Sequence, residues 1–410
     1  MTTNSDPAAP LDLSKWRKVP NWLIAGGGLL VLIGAFVDRK QFGFSWLLAY
    51  MFFLSFGLGG LFLVLMHHLF DASWSVPIRR FCEHLAGLLF PCMAILFIPI
   101  ALLAPQIYPW MQLLAKGKPD HALQMKEAFL NKPMFYLVAV FCFVVWKVLT
   151  SGLRSWSLKQ DETGSAECTF KMRTYSYWGI FAFAVTLTLM AIMLVKALEH
   201  EWFSTMYGVY YFADSVWATL ATVYVITAIL KRNGQLKDVV HNDTFYFIGS
   251  LLFAFTVFYA YIHFAQYFII WNANMPEETF HYVLREKGTW WDIGLIIIFG
   301  HFFLPFLMLL RIDWKLSLPI MIPICIWAWV MRFCDQSYNI MPTLHPAGFV
   351  VHWMDLACMA FIGGVLAKSF LKAFNAHPPY PQRDPRMAES LGVYTPPAPS
   401  SHAASHGGAK

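Results

Sequence analysis

The sequence predicts an all-α integral membrane protein of ten transmembrane helices. Composition sets the class. Of 410 residues, 58% are hydrophobic and 17% aromatic, while only 13% are charged. A chain this apolar has too little polar surface to cover a soluble core. Hydrophobic runs of about 20 residues, long enough to cross the hydrocarbon, recur along it. Lys and Arg are also unevenly shared between alternate loops, which gives the spans a direction.

The candidate spans fall at roughly 21–37, 44–70, 82–104, 134–153, 177–198, 211–231, 245–271, 290–310, 316–334 and 350–373. The first follows a polar start and has no small-residue cleavage site, so it is expected to remain as a helix. The second carries Gly57-Leu-Gly59-Gly60 with Ser55, small residues that let another helix approach closely. Pro91 in the third removes one backbone hydrogen bond and loosens that helix. The third and seventh spans share a similar word, His84-Leu-Ala-Gly87-Leu-Leu-Phe90 and Phe247-Ile-Gly249-Ser-Leu-Leu-Phe253, and each ends near a tryptophan, Trp110 and Trp271. This repeat points to two four-helix bundles, spans two to five and six to nine, with spans one and ten flanking them.

An even number of spans puts both termini on one side. Loops on that side carry Lys15, Arg17, Lys18, Arg79, Arg80, Arg154, Lys171, Arg173, Lys231 and Arg232, whereas the opposite loops near 199–210 and 336–348 hold no Lys or Arg. The expected location is the bacterial inner (cytoplasmic) membrane, multi-pass, with both termini cytoplasmic. Residues 1–20 then form a cytoplasmic segment, 21–374 the ten-helix membrane domain and 375–410 a cytoplasmic tail. The tail is rich in Pro, Ala, Ser and His and reads as an extended arm lying against a partner.

Several function classes drop out. The seven cysteines form no CxxC or CxxCH pair, which argues against thiolate metal sites and covalent haem, and inside spans they read as small apolar fillers. No P-loop, dinucleotide fingerprint or nucleophile elbow is present, and no basic run interleaves with aromatics as a nucleic-acid surface would require. His67 or His68 against His84 offers one pair for a b-type haem, without the widely separated histidine pairs of a two-haem cytochrome. Neither metal nor haem is expected on this chain.

The polar groups inside spans are the main functional signal, because a charge at mid-membrane costs about 2.5–3.5 kcal/mol. In the seventh span Thr256, Tyr259, His263 and Gln266 follow at spacings of three, four and three, which places them on one helical face. On the terminus side, His67, His68 and Asp71 end the second span, Glu83 and His84 begin the third, and Lys147 lies one to two turns inside the fourth. On the opposite side, Asp214 opens the sixth span, and Asp292 and His301 lie in the eighth on opposite faces. Pro305 frees the carbonyl of His301, a place for water beside an imidazole. Arg332 and Asp335, three apart, read as an interfacial ion pair. Two readings follow. The groups either pair statically and hold the helices together, or they form two proton half-channels that do not meet. In the second reading Glu83 with His67 or His68 loads protons. His263 then releases them, with Tyr259 and Gln266 holding water while Asp214 and Asp292 set its charge. The gap matters, since each 100 mV drives a proton with about 2.3 kcal/mol.

Stretches along nearly the whole chain carry a family resemblance. They are His67-His68-Leu69, Trp74 through Arg79-Arg80 to Glu83, Tyr108-Pro109-Trp110, and the span from Phe253 to Trp271 with Pro276-Glu277-Glu278-Thr279. His352-Trp353-Met354-Asp355 and Asp384-Pro-Arg386-Met-Ala-Glu389-Ser-Leu391 complete the set. Together they resemble the NrfD/PsrC-like membrane subunits, including those of bacterial alternative complex III. The resemblance implies two four-helix bundles and an accessory role in a quinol:cytochrome c, or other quinol:acceptor, oxidoreductase. The implied partners are a sister NrfD-like membrane subunit, an iron–sulfur/molybdopterin-like subunit, multihaem and monohaem cytochrome c subunits and a terminal oxidase. Menaquinol or ubiquinol is then the substrate of the complex, oxidised beside the sister subunit. This chain would carry no redox cofactor and would conduct protons. A purely structural anchor and a stand-alone secondary transporter are the alternatives.

Overall fold

The computed structural model describes residues 14–117 and 119–392; residues 1–13 of the expected N-terminal segment and 393–410 of the tail lie outside the described residues. All regular structure among the described residues is helical. Among the described residues nine helices are long and apolar enough to cross a membrane, and a bent pair, taken as one span, brings the number to ten. In chain order they are α1 (Ser14–Val37), α2 (Arg39–Leu69), the bent pair α3 (Val76–Ala86) and α4 (Ile98–Ile107), α5 (Lys132–Thr163) and α6 (Ala166–Leu194). Then come α7 (Tyr207–Arg232), α8 (Asn242–Ala273), the short surface helix α9 (Pro276–Arg285), α10 (Trp290–Leu309), α11 (Leu318–Ile340) and α12 (Trp353–Asn375). The chain is a multi-pass membrane protein, and the outward faces of its helices are apolar, with Phe36, Leu137, Phe181, Phe264 and Phe299 exposed.

Local chemistry sets the helix ends. The Asp38 carboxylate accepts from the Lys40 and Gln41 amides and caps α2 one residue after α1 ends. Asn131 caps α5, Gly164 turns the chain at φ 66°, and Ser165 caps α6, which makes a tight α5–α6 hairpin. His352 and Asp355 form a reciprocal capping box at the start of α12. The third span breaks outright where the sequence predicts only a loosened helix. A 3₁₀ turn at Gly87–Leu89 and extended Phe90 precede Pro91, a short helix Cys92–Leu96 follows, and a 56° bend then separates Val76–Leu96 from α4.

Helix α2 is buried along almost its whole length and packs on α3, α4, α6, α7 and α12. Helix α7 packs in turn on α2, α8 and α11, while α5 lies on α6, α10 on α8 and α11, and α1 on α12. Gly59 and Gly60 make the central crossing possible. A β-carbon at Gly59 would sit 2.1 Å from Thr219 Oγ1 and 2.8 Å from the Ser215 carbonyl, and one at Gly60 would meet the Cys82 carbonyl at 3.0 Å. The small-residue word thus acts as the packing signal its sequence suggests. The described part of the tail, 376–392, folds back onto the terminus-side ends of α2, α3 and α5. Arg386 Nη1 donates to Asp71 at 2.7 Å, the Gln382 amide donates to Asp161 at 3.0 Å, and Arg79 pairs with Asp384.

Gly59→Ala is expected to lower unfolding stability by about 1–3 kcal/mol, the usual cost of overpacking. Gly26→Ala, at a position where an added β-carbon meets nothing within 4 Å, serves as the control. Thermal unfolding in detergent checks both, and equal midpoints for the two variants would contradict the close α2–α7 crossing.

Candidate functional site

A group of fully buried charge lies among α7, α8, α10 and α11. Asp214, His301, Arg332 and Asp335 are each 0% exposed. The Arg332 guanidinium pairs with Asp214 across from α7 and lies 3.7 Å from Asp335 one turn on. Asp335 also accepts from Tyr210, from Tyr259 Oη at 2.8 Å and from Gln336 Nε2 at 3.3 Å. Asn339 Nδ2 donates to Tyr210 Oη at 3.3 Å. A π-helical segment, Ile297–Phe303, turns His301 inward between Tyr259 (ring centroids 3.7 Å) and Trp217 (3.9 Å). Its Nε2 stands 3.5 Å from Asp214 Oδ1, the long limit of a hydrogen bond.

The group is incompletely satisfied. Both His301 nitrogens, Arg332 Nε and Nη2, Asp214 Oδ1 and Tyr207 Oη are buried without a protein hydrogen-bond partner. One guanidinium also faces two carboxylates. Buried polar groups in a membrane need partners, so this geometry calls for water or an exchangeable proton.

The group connects to the membrane face opposite the termini. Arg285 on α9 donates to the Asn339 carbonyl at 3.3 Å, to the Tyr338 carbonyl at 2.9 Å and to Glu199 at 2.7 Å. His281 Nδ1 lies 2.6 Å from Glu199 Oε2, and its ring stacks on Trp202 at 3.7 Å. Burial opposes ionisation of Glu199, but Arg285 and His281 outweigh it and hold its carboxyl at about 2. Burial, and then the Arg285 charge, push His281 down to about 4.

On the terminus side every carboxylate has a cation, although Arg79 Nε, Arg80 Nε and His84 Nε2 lack a hydrogen-bond partner. Glu83 accepts from Arg80 Nη1 at 3.1 Å and Ser157 Oγ at 2.7 Å, with Arg79 Nε 3.2 Å away. Arg80 pairs with Asp161, and Arg79 with Asp384. His67 bonds Ser75 at 2.6 Å and faces Arg79 at 3.2 Å. Beside it, His68 is buried with both ring nitrogens unpartnered. His84 faces away from His67, towards Arg154 at 2.8 Å and the His377 ring.

The sequence-expected groups are therefore redistributed. The stripe of α8 does face protein: Thr256 takes the Trp217 indole N–H, Tyr259 reaches Asp335, and Gln266 bonds Ser204 and Tyr282. His263 is half-buried at the edge of the cluster, its ring 5.7 Å from those of Tyr210 and Tyr259. Asp292 stands exposed, outside the buried group it was expected to join. Lys147 is likewise exposed, over the Phe90 ring at 4.9 Å, and not beside Glu83. Arg332 and Asp335 are a buried core, not an interfacial pair. Near Pro305 the bonded carbonyl is Gly300, which accepts from the Trp327 indole at 2.8 Å. Tyr210, Asn339, Glu199, His281 and Arg285 escaped the sequence reading, although His281 and Arg285 at spacing four on one face of α9 were a usable signal. Asp120, His200 and Glu201 bring ligand atoms within 4.8 Å of one another, but Lys126 Nζ bonds the His200 carbonyl there, and its charge opposes a cation.

No family model and no curated protein matches the chain. Fold and site together define a multi-pass helical membrane protein with an unbalanced ionisable cluster buried among its spans.

Two outcomes follow. Arg332→Met leaves two carboxylates without their cation and should destabilise the protein by about 3–5 kcal/mol, with most of the loss recovered in Arg332→Met/Asp214→Asn; unfolding midpoints in detergent decide this. The second concerns pH. His281 has a folded pKa below its ordinary value near 6.5, so its contribution is fully present above pH 6.5 and is lost as pH falls through about 4. Glu199, also depressed, contributes above 4.5 and loses that contribution towards about 2. Stability should therefore fall between pH 6.5 and 4, and Trp202 fluorescence, differenced against Trp202→Phe, should change with a midpoint near pH 4 as His281 protonates in the folded protein; a signal flat through pH 4 would contradict the stacked clamp.

Proposed function

We propose that the chain is an accessory membrane subunit of a quinol:cytochrome c or quinol:acceptor oxidoreductase, an ActF-type subunit of an alternative complex III, and that it carries the outward half of a proton path. The observation that carries this reading is the buried Asp214–Arg332–Asp335 cluster with its unpartnered atoms. Tyr210, Asn339 and Arg285 lead from it to Glu199 and His281. A cluster with one carboxylate in excess, unpartnered buried atoms and a connection to one face suits proton release better than static packing does. The grouping of helices around α2 and around α7 is in keeping with the two four-helix bundles of NrfD-like subunits. In this reading the inward half begins at His67 and His68, and both termini lie in the cytoplasm. The chain itself binds no redox cofactor. Quinol is oxidised beside the sister subunit, whose iron–sulfur and cytochrome partners take the electrons.

The structural-anchor reading has one observation in its favour on the terminus side, where Glu83 is held by two arginines and a serine. We assign Glu83 to that role and remove it from the proton path.

The test uses the assembled complex in sealed vesicles. Asp335→Asn and Asp214→Asn should retain quinol oxidation and lose proton translocation, while Glu83→Gln should loosen the tail and leave the proton stoichiometry intact. Unchanged stoichiometry in both aspartate variants would leave only the anchor. Substrate uptake by the purified chain alone would favour a transporter.

A further inference from the structure

An apolar cleft of about 790 Å³ opens between the flanking helices α1 and α12 and the helices α2, α7 and α11. Phe52, Phe56, Leu88, Phe333 and Phe370 are among its walls. Two polar side chains, Thr222 and Trp329, also line it, and they satisfy each other: the Trp329 indole donates to Thr222 Oγ1 at 2.9 Å, and Thr222 donates to the Ala218 carbonyl at 2.9 Å. The interior therefore offers nothing to a polar head group and suits a hydrocarbon chain.

The terminus-side end is different. A second hollow of about 300 Å³ shares Pro20 and Leu371 with the cleft and is rimmed by Asn21, Lys368, Lys372 and Asn375. Lys368 and Lys372 lie one turn apart on α12, both exposed, and neither is in an ion pair among the described residues. Two ammonium groups with no ion-pair partner among the described residues thus stand at the mouth of an apolar slot. From Leu371 to Met359 the slot runs along α12 for about 18 Å at the helical rise. One leaflet of hydrocarbon is roughly 15 Å thick.

We propose that this cleft is a binding site for an anionic phospholipid of the leaflet on the terminus side, with an acyl chain between α1/α12 and α7/α11 and the phosphate on Lys368 and Lys372. Basic pockets between spans recognise anionic head groups in this way. A quinol is the poorer occupant, because its neutral ring would find no free polar partner inside the cleft and no use for two cations at the mouth.

The test uses the full-length chain, extracted with its partners and placed in nanodiscs doped with either dioleoyl phosphatidylglycerol or dioleoyl phosphatidylcholine. Native mass spectrometry should find phosphatidylglycerol retained in preference to phosphatidylcholine. Removing each lysine should weaken retention roughly fivefold, and Lys368→Gln/Lys372→Gln roughly twenty-five-fold. Ala367→Phe, which fills the cleft and keeps both lysines, should abolish retention. Thermal stabilisation by added phosphatidylglycerol, seen with the parent chain and absent from both variants, separates lipid loss from misfolding. Equal retention of the two lipids, a co-purifying isoprenoid quinone in the cleft, or parent-like retention in Ala367→Phe would each overturn the proposal.

Discussion

A guanidinium wholly buried between membrane helices has to be neutralised, and Arg332 imposes that requirement on everything around it. One carboxylate comes from α7 and the other from its own helix. The need to bring Asp214 to Arg332 fixes how α7 and α11 approach. The need to satisfy Asp335 recruits Tyr210 and Tyr259 from two helices. The π-helical turn of α10 then brings His301 against the same group. Removing one member leaves a buried charge uncompensated, which is why such clusters are costly to break even where they add little net stability.

The terminus-side network has the opposite character. Arg79, Arg80, Arg173 and Arg386 meet Asp71, Glu83, Asp161 and Asp384, so every carboxylate there has a cation, with Arg154 against His84 as a further one. The chain end closes it. Burial would raise the Asp384 carboxyl, but Arg79 and Arg386 overcome that and hold it well below the usual range. A network so paired is a lock, and it ties the tail to α2, α3 and α5. The inner cluster carries one carboxylate more than its guanidinium can match, with His301 as the further titratable neighbour. In the proposed reading, the excess carboxylate is what fits the inner cluster, and not the terminus-side network, to carry protons.

Much of the fold was legible because hydrophobic length is a local property. The nine long apolar helices and the bent pair could be read from composition and run length, and Gly59 and Gly60 marked the central crossing. Helix ends were less accurate where helices continue past the hydrocarbon: α5 runs to Thr163, and its polar last turns supply Ser157 and Asp161 to the arginine network. Pro91 signalled a weak point, but a proline alone does not distinguish a kink from a break. The site was less legible because its bonds are long-range. Arg332 looks like the partner of Asp335 at spacing three, yet its closest carboxylate is Asp214, 118 positions away. The tail reads as a free arm by composition, yet Asp384 meets Arg79 across 305 positions. Lys147 was grouped with Glu83 by depth, and depth does not say which way a side chain faces; Asp292, expected on the face of α10 opposite His301, does lie exposed while His301 is buried.

The central claim is that the Arg332 cluster holds water as part of a proton path and is not a dry ion pair. The most direct measurement is a high-resolution density map of the assembled complex in a lipid bilayer. The account predicts ordered water within hydrogen-bond reach of Arg332 Nη2 and a His301 ring nitrogen, continuing past Tyr207 towards Arg285. A dry cluster, in which protein groups occupy every donor of Arg332 and both nitrogens of His301, would contradict it.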